Sequence, residues 1–171
     1  MIDPHPFRPC APDERPPRPR AVVSPEGVGD RMRTAAFAEL QAVHAFGWAA
    51  DRYDDAPAGL ADAWRAQVAD ETRHLRMILD RMAELGVDPA GRPVSLGLWR
   101  RLESCPDARS FCLLIAEAEE RGRRGGLALV EAIADRDPVT ADVFRTIARE
   151  EEAHVALATE FFGWRPGEPM D

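Results

Sequence analysis

The sequence predicts an all-α fold, a four-helix bundle with a long crossover between its second and third helices. Three observations predict it. From residue 30 onward the chain runs in long amphipathic stretches rich in Ala, Leu, Glu and Arg, all strong helix formers. Gly, Pro and Asp separate those stretches at positions suited to starting and stopping helices. No alternating apolar–polar run of the kind a half-buried strand needs competes with them.

The elements follow in order. Pro4, Pro6, Pro9, Pro12, Pro16, Pro17, Pro19 and Pro25 carry no backbone N–H, so residues 1–29 are expected to be an extended arm, free or draped on the domain. Arg15, Arg18 and Arg20 in that arm could touch a phosphate or an acidic partner, or simply be solvated. Helix A is expected at 30–53, ending in the turn Asp54–Asp55–Ala56–Pro57, where an Asp can cap the next helix and Pro57 suits its first turn. Helix B is expected at 57–85, stopped by Gly86. Residues 86–104, with Pro89, Gly91, Pro93 and Gly97, read as the crossover. Helix C follows at 106–134. Asp137–Pro138 is a cap followed by proline at the first helical position, opening helix D, which ends near Gly163. The helical domain is thus 30–163, followed by a tail, 164–171.

At 171 residues the chain holds one domain with a sizeable core. All of its basic residues are Arg and it has no Asn, which reads as compositional bias before function. A net charge of −8 argues against a broad nucleic-acid footprint and leaves only a local basic patch open. Cys10, Cys105 and Cys112 form no close pair, so no disulfide framework, zinc ribbon or iron–sulfur site is expected. No apolar run approaches the ~20 residues of a membrane span, and the N-terminus lacks a signal peptide's apolar stretch. A cytoplasmic protein is expected.

The chemistry lies in a repeat. Glu71 and His74 stand three apart on helix B, and so do Glu151 and His154 on helix D. That spacing projects both side chains from one face, where they can reach one ion. One such pair arises easily by chance. Here, however, Glu39, Glu71 and His74 recur 80 positions later as Glu119, Glu151 and His154. All four glutamates share a face with their helix's apolar stripe: Phe46 with Glu39, Ile78 with Glu71, Ile115 with Glu119, Phe144 with Glu151. Glu117 points away, and Glu120 sits about a quarter-turn off. Four buried, unpaired carboxylates would be strongly destabilising. Two divalent cations would cancel their charges, with neutral imidazoles completing the shells. Oxygen-rich ligation with one imidazole per metal suits iron, with manganese as the alternative, better than zinc. A solvated Glu/His face is the competing reading, and it would not coincide with the core stripe.

These residues carry a resemblance. One Glu from each of two helices and Glu-x-x-His from each of the other two resembles the ferritin-like di-iron carboxylate superfamily. The segments Ala38–Glu39–Leu40–Gln41–Ala42, Asp70–Glu71–Thr72–Arg73–His74 and Glu151–Glu152–Ala153–His154 look like that superfamily. The stretch from Arg92–Pro93–Val94 to Trp99 resembles a ferritin-like branch related to the di-iron tRNA hydroxylases. The likeness implies a ferritin-like bundle in which Glu71 and Glu151 bridge two irons and Glu39 and Glu119 are terminal ligands. It also implies that Asp70 orients a histidine, His154. Glu150 holds the matching position for His74, with a solvated carboxylate as the alternative.

Such sites serve storage, peroxide reduction, radical generation and hydroxylation, and fold alone does not choose among them. The lack of a cysteine pair counts against a self-contained rubrerythrin-type peroxidase. Tyr53, the single tyrosine, lies some four turns from Glu39, too far for an adjacent radical. On helix C, Gly122, Gly125 and Gly126 each cost ~1 kcal/mol relative to Ala. Gly122 and Gly126 are expected to clear space for dioxygen and a substrate, a local bend being the alternative. Arg123 could hold an anionic substrate group or pair with Glu119 or Glu120. His44 lies on a second apolar stripe of helix A, which suggests burial there by the arm or by a second copy in a homodimer. The expected function is a di-iron oxidoreductase that uses dioxygen and an external electron donor on a small organic or nucleoside-type substrate. The alternative is a non-catalytic metal-binding or iron-storage protein.

Overall fold

The structure, a computed structural model, describes residues 2–170, and among them it is all helical, with no strand. Its elements are α1 (Pro25–Arg52), α2 (Leu60–Glu84), the short α3 (Gly97–Leu102), α4 (Ala108–Ile133) and α5 (Pro138–Phe162). Among the described residues no helix is long and apolar enough to cross a membrane.

The starts and stops follow from capping, and some differ from the sequence reading. Helix α1 begins at Pro25 rather than at residue 30, because Ser24 caps it by accepting from Gly27 N at 3.0 Å. Proline at the first helical position loses no hydrogen bond, so the last proline assigned to the arm belongs to the helix. Gly27 is required by a close approach: a Cβ there would lie 1.8 Å from the Ala21 carbonyl oxygen. Helix α2 begins at Leu60, after Gly59 in the left-handed conformation (φ 89°), with no side-chain cap. Asp55, expected near that cap, instead accepts from the N–H of Ala108, the first residue of α4 (3.2 Å). Asp107 and Asp137 cap α4 and α5, and Gly163 closes α5 at φ 68°. The connection at 86–104 contains α3, one turn and a half that sequence punctuation by Pro93 and Gly97 concealed. Gln41 docks it on α1, accepting from Trp99 N (3.0 Å) and donating to Ser95 O (3.3 Å).

Helix α1 packs along α2, and α4 along α5, with further contacts between α2 and α5 and between α1 and α4. The apolar core is split into two parts. One holds Ala42, Phe46, Leu60, Trp64, Phe111 and Ala158; the other holds Met32, Phe37, Ile78, Met82, Leu129 and Phe144. On each long helix the two parts flank one stretch, which contains Glu39, Glu71, Glu119 or Glu151. The carboxylates therefore occupy the layer between two hydrophobic plugs.

The arm is draped on the domain. Phe7 is buried against Phe37, with ring centroids 5.1 Å apart, and residues 8–10 pair with Val94 of the crossover. Arg20 binds buried Asp30 through its own N–H, Nε and Nη2. The second stripe of α1 is partly covered by the chain itself, with Phe37 buried and Leu40, His44 and Trp48 half-buried. Phe37 meets the arm, while His44 and Trp48 stand edge-on to Trp99 of α3 at 4.4 and 5.3 Å.

Candidate metal centre

Each long helix contributes a side chain to the layer between the plugs. Glu39, Glu71, Glu119, Glu151, His74 and His154 are all buried there. Glu39, Glu71, His74 and Glu151 each offer a ligand atom within 4.8 Å of the others. His154 Nδ1 lies 2.7 Å from Glu71 and 3.1 Å from Glu151. His74 Nδ1 lies 3.0 Å from Glu151 and 3.8 Å from Glu71. Glu119 lies outside that group of four but borders it, close enough that the charges of Glu151 and Glu71 oppose its ionisation while His154 favours it.

Proximity here is not satisfaction. Both oxygens of Glu71, one each of Glu119 and Glu151, and His74 Nδ1 are buried with no hydrogen-bond partner. A buried polar atom without a partner costs about 1–3 kcal/mol. Lone pairs that converge without pairing are the arrangement a cation satisfies, and the donor set of carboxylate oxygens and imidazole nitrogen fits iron or manganese.

The protonation pattern shows the same tension. Burial first, then the charges of Glu71, Glu151 and Glu119, push the Glu39 carboxyl well above the ordinary glutamate value. Burial does the same to Glu119, reinforced by Glu151 and Glu71. At Glu71 burial is outweighed by the nearby imidazoles of His154 and His74 and the Glu39 carboxyl, which lower it to about 2. Burial also opposes charge on the imidazoles, yet their carboxylate partners raise His74 to about 10 and His154 to about 11.

An outer layer orients the rings. His74 Nε2 lies 2.8 Å from Glu150, and His154 Nε2 lies 3.6 Å from Asp70. Arg73, which the sequence reading passed over, ties this layer together by donating to Glu150 (2.6 Å) and to Asp70 (2.8 Å). Only the tertiary structure reveals it, since Arg73 and Glu150 sit on different helices. A neutral His74 that gives its Nε2–H to Glu150 would direct its Nδ1 lone pair at the carboxylates.

Helix α4 runs unbroken through Gly122, Gly125 and Gly126. Gly122 and Gly126 line a small cavity of about 60 Å³ that reaches Glu39, Glu119 and Glu151. They also line a cleft of about 510 Å³ on the outer side, walled by Phe37, Leu98, Leu129, Phe144 and the arm prolines Pro16, Pro17 and Pro19. Arg123 lines the small cavity but is engaged: its Nε donates to Glu120 at 2.6 Å. Arg124 donates to the same carboxylate, so Glu120, though buried, is neutralised locally and stands apart from the cluster. Of the two roles expected for Arg123, the structure has it pairing with Glu120. The arm's part in the cleft carried no signal in the sequence.

The family model described as "Protein of unknown function (DUF455)" matches residues 3–168, nearly the whole chain, and the chain belongs to that family. No curated protein and no solved structure matches it.

Proposed function

We propose that this member of the DUF455 family is a ferritin-like four-helix bundle that binds two irons and oxidises or hydroxylates a small organic or nucleoside-type substrate with dioxygen. The observation that carries the reading is the set of buried, converging and unpaired carboxylate oxygens between two apolar plugs. Glu39, Glu71, His74, Glu119, Glu151 and His154 hold the metals, and the irons supply the redox chemistry that dioxygen reduction needs. The chain's own residues do the rest. Glu150 and Asp70 hold the outer nitrogens of His74 and His154, keeping Nδ1 of each ring directed inward. Phe46, Ile78, Ile147 and their neighbours exclude water from either side of the layer. The cavity beside Gly122 and Gly126 admits small reactants. Electrons come from an external donor.

Elemental analysis of iron-grown protein tests the reading, with about two metals per chain expected. Zinc near one per chain, with no iron under aerobic or anaerobic preparation, sinks it. Reduction followed by oxygen exposure then separates enzyme from store. Oxygen uptake that rises with a candidate substrate supports the enzyme, whereas steady accumulation of ferric mineral supports storage.

A further inference from the structure

The cleft outside the glycines has a chemistry of its own. Its volume, about 510 Å³, is that of a small-molecule site, and its walls are mostly apolar. Nothing in the folded chain requires glycine at 122 or 125. Both are helical, and a Cβ built at either would meet no atom within 4 Å. At 126 a Cβ would make only ordinary contact with Phe144, at 3.5 Å. Each glycine costs the helix about 1 kcal/mol relative to Ala. What that cost provides is open space along one face of α4, bordering the cavity at Glu39, Glu119 and Glu151, with which it shares Gly122 and Gly126 as walls.

The charge lining that space is lopsided. Arg31, Arg33, Arg92 and Arg121 border it, and Asp30 is its single carboxylate. Asp30 is already taken by Arg20, Arg33 and Arg92. Among the described residues Arg31 donates to the carbonyl oxygens of Arg20 and Gly27 and to no carboxylate. On the α4 side Glu120 claims Arg123 and Arg124, which leaves Arg121 with no carboxylate among the described residues. An exposed, unpaired guanidinium on an apolar cleft, in a chain of net charge −8, is a recognition element for an anion.

We propose that the cleft binds a small molecule with an apolar body and a single anionic group, carboxylate or phosphate, and that Arg121 holds that group. Resting on the di-metal reading for its outcome, the orientation follows from charge. The anion stays at the arginines, away from the carboxylates of the inner cavity, and the apolar end passes Gly122 and Gly126 toward the metals. Arg121 and the glycines thus select which end of the molecule is oxidised.

The test uses the full chain, metal-loaded and metal-free, with 1-anilinonaphthalene-8-sulfonate as fluorescent probe and decanoate, decanol and decylamine as competitors. Decanoate should displace the probe at roughly tenfold lower concentration than decanol, the value of one charge-assisted hydrogen bond, with decylamine weakest. In Arg121→Ala, a surface change, decanoate should fall to the level of decanol. In Gly125→Leu, which enters the cleft and not the inner cavity, all three competitors and the probe should weaken together. Equal displacement by the three, an unchanged decanoate preference in Arg121→Ala, or full probe binding in Gly125→Leu with wild-type circular dichroism overturns the proposal. Metal analysis on the same samples separates the two ideas. Charge-selective binding without metal defeats only the di-iron reading, and two metals without charge selectivity defeat only this one.

Discussion

Replacing Asp30 by Asn should destabilise the protein and loosen the arm that walls the cleft. Asp30 accepts from the backbone N–H, Nε and Nη2 of Arg20 at 3.0, 2.9 and 2.7 Å, from Arg33 at 3.2 Å, and from Arg92. One carboxylate thereby joins the arm, α1 and the crossover. Asn keeps one acceptor oxygen and turns an NH₂ toward the guanidiniums. Exposure decides the cost: the side chains of Arg20 and Arg92 are 49% and 24% exposed and can turn to water, but that of Arg33 is 6% exposed. Arg33 keeps its bonds to the Asp88 carbonyl, at 3.1 and 2.8 Å, and loses its counter-charge. Stranding one buried charge costs about 3–5 kcal/mol, and with the carbonyl retained the low end, about 3 kcal/mol, applies. For a chain of this length that lowers the thermal midpoint by roughly 6–12 °C. The hydrogen bonds from Arg20, opposed by burial and helped by the charge of Arg92, hold the Asp30 carboxyl well below its ordinary value. A depressed carboxyl contributes stability above its unfolded value, near 3.9, and loses it as pH falls through the native value. The gap between wild type and variant should therefore be constant above about pH 5 and close only in stronger acid. Thermal melts by circular dichroism across pH measure it. Trypsin should also cut sooner after Arg20, since Arg15 and Arg18 precede proline. A midpoint within about 2 °C of wild type, or a gap that opens as pH falls, refutes the reasoning.

Three further outcomes are expected. Glu119→Ala should lose about half of the bound metal, whereas Glu117→Ala, whose carboxylate accepts instead from Gly167 N, should keep all of it; equal loss by elemental analysis would contradict the proposed ligand set. Glu150→Gln should weaken metal affinity by about 10–100-fold in competition with a chelator, because the His74 ring loses its anionic partner; an unchanged affinity would leave Glu150 as a bystander. Gly126→Leu, whose Cβ already meets Phe144 at 3.5 Å, should keep its metals and lose substrate-dependent oxygen uptake; full uptake would remove the cavity from the mechanism.

What was legible in the sequence was local. The spacing of Glu71 with His74 and of Glu151 with His154 is a property of one helical turn, and capping by Asp137 and Gly163 involves residues within four positions. Where the cap competed with a distant partner the reading failed: Asp55 serves α4, and Gly59 begins α2 unaided. The start of α1 slipped by five residues because proline is read as a breaker unless its serine cap is seen.

By itself, then, the sequence determined the helical class, the order of the long helices, and the face of each that carries carboxylate among apolar residues, because helical periodicity converts spacing directly into direction. The tertiary structure alone decided that Arg73 joins Asp70 to Glu150, that Asp30 straps the arm to the crossover, and that Arg121 is left open beside a proline-walled cleft. Those depend on which helix faces pack together and on which arginine reaches a carboxylate first. In a chain with 30 acidic and 22 basic residues, many pairings are chemically equivalent until packing selects among them.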